Sequence, residues 1–195
     1  MQTTTLSFQN MHTHGELFTD VLRARRESFI VQRKWDLPEV DGMEFDQYDT
    51  PQSRWIAVHH LGQVLAGIRM TPTTARCGMY SYMIRDAQLG LLDSIPQDLL
   101  YEEAPVSPQV WEASRVFISH HVPSTLRTQV QADLMNQMVR TAREEGASTL
   151  LGLCPRVWMR WMRRLGYDTE HAGACMDIEG AANQAILMNL QSNLH

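Results

Sequence analysis

Residues 110–118 read Val-Trp-Glu-Ala-Ser-Arg-Val-Phe-Ile, a strand-like run that places a carboxylate at Glu112 and a guanidinium at Arg115. Alternate side chains of a strand share a face. Glu112 and Ser114 are therefore expected to point one way and Trp111, Ala113 and Arg115 the other, unless a bulge re-aims one of them. Flanked by Val110 and Trp111, a Glu112 facing a cleft loses part of its water, and desolvation disfavours the charged carboxylate, which suits it to take a proton from an amine. The combination fits an acyl-transfer site. The structural alternative is an ion pair between Glu112 and a neighbouring arginine.

Working outward, Leu126, Val130, Leu134, Met138 and Ala142 keep helical spacing over residues 124–145, with Gly146 as the C-terminal stop. A strand at 148–153 then feeds a last long helix from Pro155, and this β-α-β-α ending belongs to an α/β fold. Upstream, Thr13-x-x-Glu16 has the form of a capping box, and Leu17, Val21, Leu22 and Phe29 give a helix over about 15–32 its apolar stripe. Residues 34–51 mix Pro38, Gly42 and several carboxylates with Trp35 and Phe45, which predicts an irregular loop able to fold over a ligand. Strands at 54–59 and 63–70 follow, joined by a Leu61-Gly62 hairpin turn, with Arg69 near the end of the second. From Asp86 to Gln109 the chain is acidic and proline-containing, and is read as partly helical around Leu89 to Leu92.

At 195 residues and 44% hydrophobic content the chain buries a core without staples, so 1–195 is read as one domain. A net charge of -5 argues against a general nucleic-acid binder, which needs a basic surplus. Cys77, Cys154 and Cys175 form no C-x-x-C pair, so neither a disulfide framework nor a cysteine zinc site is expected, and a reducing cytoplasm fits. The polar stretch Met1 to Asn10 lacks the pattern of a signal peptide, and no segment reaches transmembrane length. The pairs His59-His60 and His120-His121 are read as structural or surface residues rather than metal ligands.

The upstream spacing Arg25-x3-Phe29-x5-Trp35-x10-Asp46-x2-Asp49, followed by Arg69 at a strand end and Glu112-x-Ser114-Arg115, resembles the acyl-homoserine lactone synthase (LuxI-type autoinducer synthase) family. Every position of that pattern is met. The resemblance implies a GNAT-like acyltransferase fold, a mixed central sheet flanked by helices. It also implies transfer of an acyl group from acyl carrier protein, or acyl-CoA, to the amine of S-adenosylmethionine. Lactonisation and release of methylthioadenosine would follow, for quorum sensing. S-adenosylmethionine enters as substrate, and neither cofactor nor metal is implied. Glu112 would be the base, directly or through a water, with Ser114 as a secondary polar contact. Asp46 and Asp49 would hold the cationic nucleotide, Arg69 and Arg115 its carboxylate or the loop carboxylates, and Phe29 and Trp35 would wall the pocket. The duller alternative makes Phe29 and Trp35 ordinary core and Arg25, Asp46, Asp49 and Arg69 a buried ion-pair network. Counting back from Gly166-Tyr167, the position where 3-oxo-acyl producers carry a Thr falls on Gly152. The interval between Arg69 and Glu112 is longer than this family leads one to expect, and is read as an insertion.

Arg156, Arg160, Arg163 and Arg164 recur at i, i+4, i+7 and i+8, so they share one helix face, with Val157, Trp158, Trp161, Met162 and Leu165 on the apolar side. Such a stripe is either a solvated face or a docking surface for an acidic partner such as acyl carrier protein. The stretch His121 to Gln129 contains no glycine, whereas a full CoA diphosphate clamp draws on glycine-rich backbone amides. That favours a carrier-protein donor. Two rival readings stand beside this one: another GNAT-type N-acyltransferase using acyl-CoA and a different amine, and a non-catalytic sensor of an acyl or nucleotide ligand.

Overall fold

The computed structural model describes residues 1–178 and 180–191. In chain order the elements are β1 (Gln2–Leu6), a 3-10 turn (Met11–Thr13), α1 (Leu17–Arg26), a π-helical turn (Glu27–Gln32), β2 (Glu39–Val40), β3 (Met43–Glu44), β4 (Arg54–His60) and β5 (Gln63–Pro72). They continue as α2 (Met83–Gln88), β6 (Val110–Ile118), α3 (Ser124–Glu144), β7 (Thr149–Pro155), α4 (Val157–Arg164), β8 (Asp168–Ile178) and β9 (Ala181–Asn189). Seven strands make one sheet in the order β1-β4-β5-β6-β7-β9-β8, and helices flank it. The sheet is mixed, because β6 and β7 run parallel while β4 with β5 and β8 with β9 are antiparallel. Two compact units divide the chain: Met1–Met70 with Arg115–Thr141, and Thr71–Ser114 with the chain from Ala142 onward.

In the first unit, α1 buries Phe18, Val21, Leu22 and Arg25, a stripe at i, i+3, i+4 and i+7. Its apolar members pack with Leu6, Trp55, Ala57, Val64 and Phe117, and each fully buried large side chain contributes roughly 1.5–3 kcal/mol. Gly67 of β5 makes room in this core, since a Cβ there would lie 2.7 Å from the Phe117 ring. The β4–β5 hairpin turns on Leu61 (φ 49°) and Gly62 (φ 80°), as the sequence predicts.

Two expectations fail at the ends of the first helix. The capping box does not form, because Thr13 is taken up by the 3-10 turn and its hydroxyl donates to the Asn10 carbonyl at 2.8 Å. Glu16 is the N-cap without a side-chain cap bond, and Thr19 donates to its backbone oxygen at 2.8 Å. At the other end the α-helix stops at Arg26 and one π turn follows. The turn closes through Lys34, in the left-handed conformation at φ 62°, and the Trp35 N–H donates to the Phe29 carbonyl at 3.0 Å. An ordinary C-cap of this kind reaches back five residues. Here the wider turn makes it six.

In the second unit, α3 ends on such an ordinary cap: Gly146 (φ 83°) donates to Arg143 and Ala147 donates to Ala142. Most of α3 belongs to the first unit, where Val130, Leu134 and Met138 of its stripe are buried and Leu126 in its first turn is 45% exposed; Ala142, in the second, is buried as well. α2 lies at Met83–Gln88, not around Leu89 to Leu92, because the distant Glu112 carboxylate and the helix's own Asp86 set its start and Gly90 (φ 75°) terminates it. Asp86 accepts from the Ser81 N–H at 2.9 Å and the Ser81 hydroxyl at 2.5 Å. No regular element follows until β6, yet residues 99–105 are tied down. Gln88 bonds the Glu102 carbonyl (2.9 Å) and the Ala104 N–H (2.8 Å), and Tyr82 donates to the Pro105 carbonyl at 2.6 Å. The Tyr101 N–H donates to the Ala172 carbonyl of β8 at 2.8 Å. This approach is possible only at a glycine, since a Cβ on Gly173 would sit 1.8 Å from the Leu99 carbonyl oxygen. The β8–β9 register shifts between His171 and Cys175 at the same place.

The chain does not end on a long helix. α4 has eight residues and is followed by the β8–β9 hairpin. β8 is an edge strand and mostly exposed, so it lacks the apolar run that announces a strand, while β9 carries one at Ala185-Ile186-Leu187-Met188. Among the described residues no helix is long and apolar enough to cross a membrane.

Candidate active site

The first unit assembles Arg25, Asp46, Asp49, Arg69 and Arg115 into one buried cluster around a residue the sequence did not single out, Glu44. Arg25, in the last turn of α1, donates from Nε to Glu44 at 2.6 Å and grips Asp49 with both terminal nitrogens at 2.7 and 3.0 Å. Arg69 of β5 donates to Asp46 at 2.5 Å and lies 3.1 Å from Asp49. Arg115 donates to Glu44 at 3.1 Å and Asp46 at 2.8 Å, and the Trp55 indole donates to Asp49 at 2.8 Å. The loop holds its own shape as well: the Asp46 and Tyr48 N–H groups donate to the Asp49 and Asp46 carboxylates, each at 2.9 Å.

Three guanidiniums thus face three carboxylates with no surplus charge, as burial demands. Burial alone would favour protonated Asp49, but Arg69 and Arg25 outweigh it and hold the carboxyl far below its usual range. Burial likewise disfavours charged Arg25, and Asp49 and Glu44 reverse the balance and raise its pKa. The charge count held the clue to Glu44, because three arginines set against Asp46 and Asp49 leave one cation unmatched. The ion-pair alternative is therefore real geometry, and the partners of Arg69 and Arg115 are the loop carboxylates.

Arg115 reaches this cluster by leaving the strand's alternation. Its φ of 55° is left-handed, a conformation that costs a non-glycine residue about 1–3 kcal/mol and tends to occur where a side chain must be aimed. Beside the cluster the Phe29 and Trp35 rings stack, 5.2 Å between centroids and 10° between planes. Phe29 is buried core and Trp35 only half-buried. The Arg33 guanidinium lies 5.0 and 5.1 Å from these two ring centroids, and that of Arg115 5.8 Å from the Phe29 ring.

In the second unit Glu112 is wholly buried on β6 and caps α2: its carboxylate accepts from the Ile84 N–H at 2.7 Å and the Met83 N–H at 3.3 Å. An anion at the first amides of a helix meets both orphan donors and the positive end of the dipole. Burial, followed by the Glu112 charge, pushes the Tyr82 phenol up, so it stays protonated. Ser114 is buried on the same strand. The parallel β6–β7 ladder runs only from Val110↔Thr149 to Ala113↔Gly152, and a Cβ on Gly152 would stand 3.3 Å from the Ala113 carbonyl oxygen. Cys154, further along β7, is no nucleophile, because burial pushes its thiol up to about 12.

Arg156, the N-cap of α4, and Arg160 and Arg164 on the helix are exposed. Arg163 is committed to β8, with donations to the Thr169 carbonyl at 2.9 Å and hydroxyl at 3.3 Å. The apolar side is corrected too: Met159 and Met162 are buried, Trp158 and Trp161 half-buried, and Val157 (71% exposed) and Leu165 face solvent. A helix of eight residues cannot bury so wide an apolar face.

Comparison with known proteins decides what this arrangement belongs to. The family model described as autoinducer synthase matches residues 8–193. The chain belongs to the autoinducer synthase family. An acyl-homoserine-lactone synthase of Ralstonia nicotianae is similar, 31% identical over 163 residues that cover 80% of this chain and 74% of the relative. The crystal structure of TofI in a ternary complex with an inhibitor and MTA superposes at a TM-score of 0.78. It is 26% identical and covers 97% of this chain and 92% of the other. BjaI, a CoA-dependent acyl-homoserine lactone synthase solved with SAM and isopentyl-CoA, shares the fold at a TM-score of 0.75 with 21% identity, over 95% and 82% of the two chains. This autoinducer synthase is accordingly an acyltransferase of GNAT-like fold, an acyl-homoserine lactone synthase.

Proposed function

We propose that Glu112 is the base with which this synthase acylates the amine of S-adenosylmethionine. The α-ammonium of that substrate gives a proton to Glu112, directly or through a water. The freed nitrogen then attacks the carbonyl of an acyl thioester, and the thiol leaves. In the second step the substrate's own carboxylate oxygen attacks the side-chain carbon bonded to sulfur, closing the lactone as the sulfonium departs as neutral methylthioadenosine. Both steps are displacements that need orientation, and the first also a base, rather than a redox group or metal. The observation that supports this reading best is the fully buried Glu112 carboxylate, held by two amides on the strand that also bears Ser114 and Arg115. A carboxylate offers about four acceptor positions, so its amide bonds are compatible with a proton-transfer role.

Within the first unit the six-membered ion cluster is assigned a framing role. Asp46, Asp49 and Glu44 spend their oxygens on arginines and Trp55, so they shape the loop against which the nucleotide lies. Arg115, 10% exposed at its side chain, is the member assigned to the substrate carboxylate. Phe29 and Trp35 supply the pocket wall, and Ser114 a secondary polar contact. Mixing the purified protein with S-adenosylmethionine and acyl thioesters, then weighing the products by mass spectrometry, tests the whole. A lactone together with methylthioadenosine is expected, and neither product appearing with any donor would refute it.

The acyl donor is assigned as acyl carrier protein, in keeping with the glycine-free turn at 121–129 and the exposed Arg156, Arg160 and Arg164. Reversing Arg160 and Arg164 to Glu is expected to raise KM for the acylated carrier protein several-fold at low salt and less at high salt, where steering is screened. The KM for acyl-CoA serves as control, and an equal rise for both donors would remove the docking role. Gly152 has no hydroxyl to offer a 3-oxo group, and burying an unmatched carbonyl costs about 1–3 kcal/mol. Competition between donors of equal length is therefore expected to favour the unsubstituted chain in kcat/KM. A clear preference for the 3-oxo donor would show that Gly152 does not set this choice.

A further inference from the structure

The stacked Phe29–Trp35 pair presents ring faces, and ring faces attract cations. In this structure the cation is the chain's own: Arg33, which follows the π turn and lies 5.0 and 5.1 Å from the two centroids. The other guanidinium near Phe29 belongs to Arg115, whose charge is matched by Glu44 and Asp46. Arg33 is different. Its residue is exposed to solvent, and among the described residues its recorded contacts are to the rings rather than to a carboxylate. It is thus held by a weak, non-directional attraction that a second cation can contest.

We propose that Arg33 competes with the substrate's sulfonium for the Phe29–Trp35 ring faces, acting as a resident cation that S-adenosylmethionine must displace. This rests on the reading of those rings as a wall of the S-adenosylmethionine pocket. It adds that the wall is occupied before substrate arrives, and that occupancy is selective for charge. A bound sulfonium meets either the loss of the ring contact to Arg33, if the guanidinium leaves, or repulsion from it, if it stays. Methylthioadenosine, which has lost the positive charge, meets neither electrostatic cost. Arg33 therefore weakens binding of the charged substrate relative to the neutral product.

The test compares Arg33→Gln and Arg33→Lys with the unaltered protein by calorimetric binding of S-adenosylmethionine and of methylthioadenosine. Arg33→Gln is expected to tighten S-adenosylmethionine by about 2- to 5-fold, the range of a single exposed cation–ring contact, and to leave methylthioadenosine binding unchanged. Arg33→Lys, which keeps the charge, is expected to stay near the parent affinity. In a Trp35→Leu background the gain from Arg33→Gln should shrink, because the contested face is gone. Weaker S-adenosylmethionine binding in Arg33→Gln would overturn the proposal and make Arg33 a ligand of the substrate carboxylate. Equal tightening of both nucleosides would also overturn it, leaving only steric obstruction. If the unaltered protein bound no S-adenosylmethionine and formed no lactone, the functional reading would fail instead, an outcome distinct from either.

Discussion

Replacing Glu112 by Gln is expected to lower kcat by about 10²- to 10⁴-fold, the usual weight of a positioned base, while S-adenosylmethionine binding changes only a few-fold. The carboxamide keeps the volume of the side chain but loses its basicity. It also brings a second consequence that the helix cap makes visible. Glu112 accepts from both the Met83 and Ile84 N–H groups, and a carboxamide has a single acceptor oxygen, so its NH₂ must face one of these donors. A stability loss of about 1–3 kcal/mol therefore accompanies the loss of rate. The two effects are separated by Asp86→Asn, which disturbs the other carboxylate that organises the start of α2 without touching the base. That variant is expected to melt earlier yet keep kcat within a few-fold. If Glu112→Gln retained more than about a tenth of the parent kcat, Glu112 would be a cap and nothing more.

Asp49→Asn is expected to cost about 3 kcal/mol of folding stability, the lower end of what removing one partner from a buried charge pair costs. Asp49 answers Arg25, Arg69 and the Trp55 indole at once. Neutralising it leaves two guanidiniums under-compensated inside the protein. For a chain of this size that is a fall of about 6–12 °C in melting temperature. The pH dependence has a defined sign. The Asp49 carboxyl lies far below its ordinary 3.8 in the folded protein. Its contribution is therefore complete above that ordinary value and drains away as the pH falls below it, where the unfolded chain takes up the proton first. Urea titrations from pH 7 down to pH 3 should show the parent and Asp49→Asn curves converging. Pairing Asp49→Asn with Arg25→Gln should cost less than the two single changes added together. Single losses under about 1 kcal/mol would mean that the cluster does not hold the loop.

Much of this was legible in the chain because it depends on local spacing. The period of Val130, Leu134 and Met138 marks α3, Leu61-Gly62 marks a hairpin, and the run from Arg25 to Asp49 announces the cluster before any fold is known. What escaped depends on partners distant in sequence. α2 starts at Met83 because the Glu112 carboxylate, far along the chain, receives its first amides, and that acceptor does not mark the segment by periodicity. Glu44 belongs to no spacing pattern and is recognised only when the charges of a buried set are counted. The left-handed Arg115 has no signature in Glu-Ala-Ser-Arg, since any non-glycine residue there would be read as plain strand. Polar β8 looks like a loop because its side chains are those of an exposed edge.

The π turn at Glu27–Gln32 has a bearing on how this chain tolerates insertion and deletion. Such a turn is an α-helix that has accommodated an extra residue. Removing one residue from it would leave a well-formed α-helix and a foldable chain, so nothing local would resist the loss. Yet every residue downstream would be rotated by about 100° and drawn back by about 1.5 Å, carrying Trp35 off the Phe29 ring and its N–H away from the Phe29 carbonyl. A single-codon deletion here would thus spare the helix and erase the aromatic wall. Its compensation would have to be another length change before Trp35, which makes the count of residues between Arg25 and Trp35 as heritable a property of this enzyme as their identity.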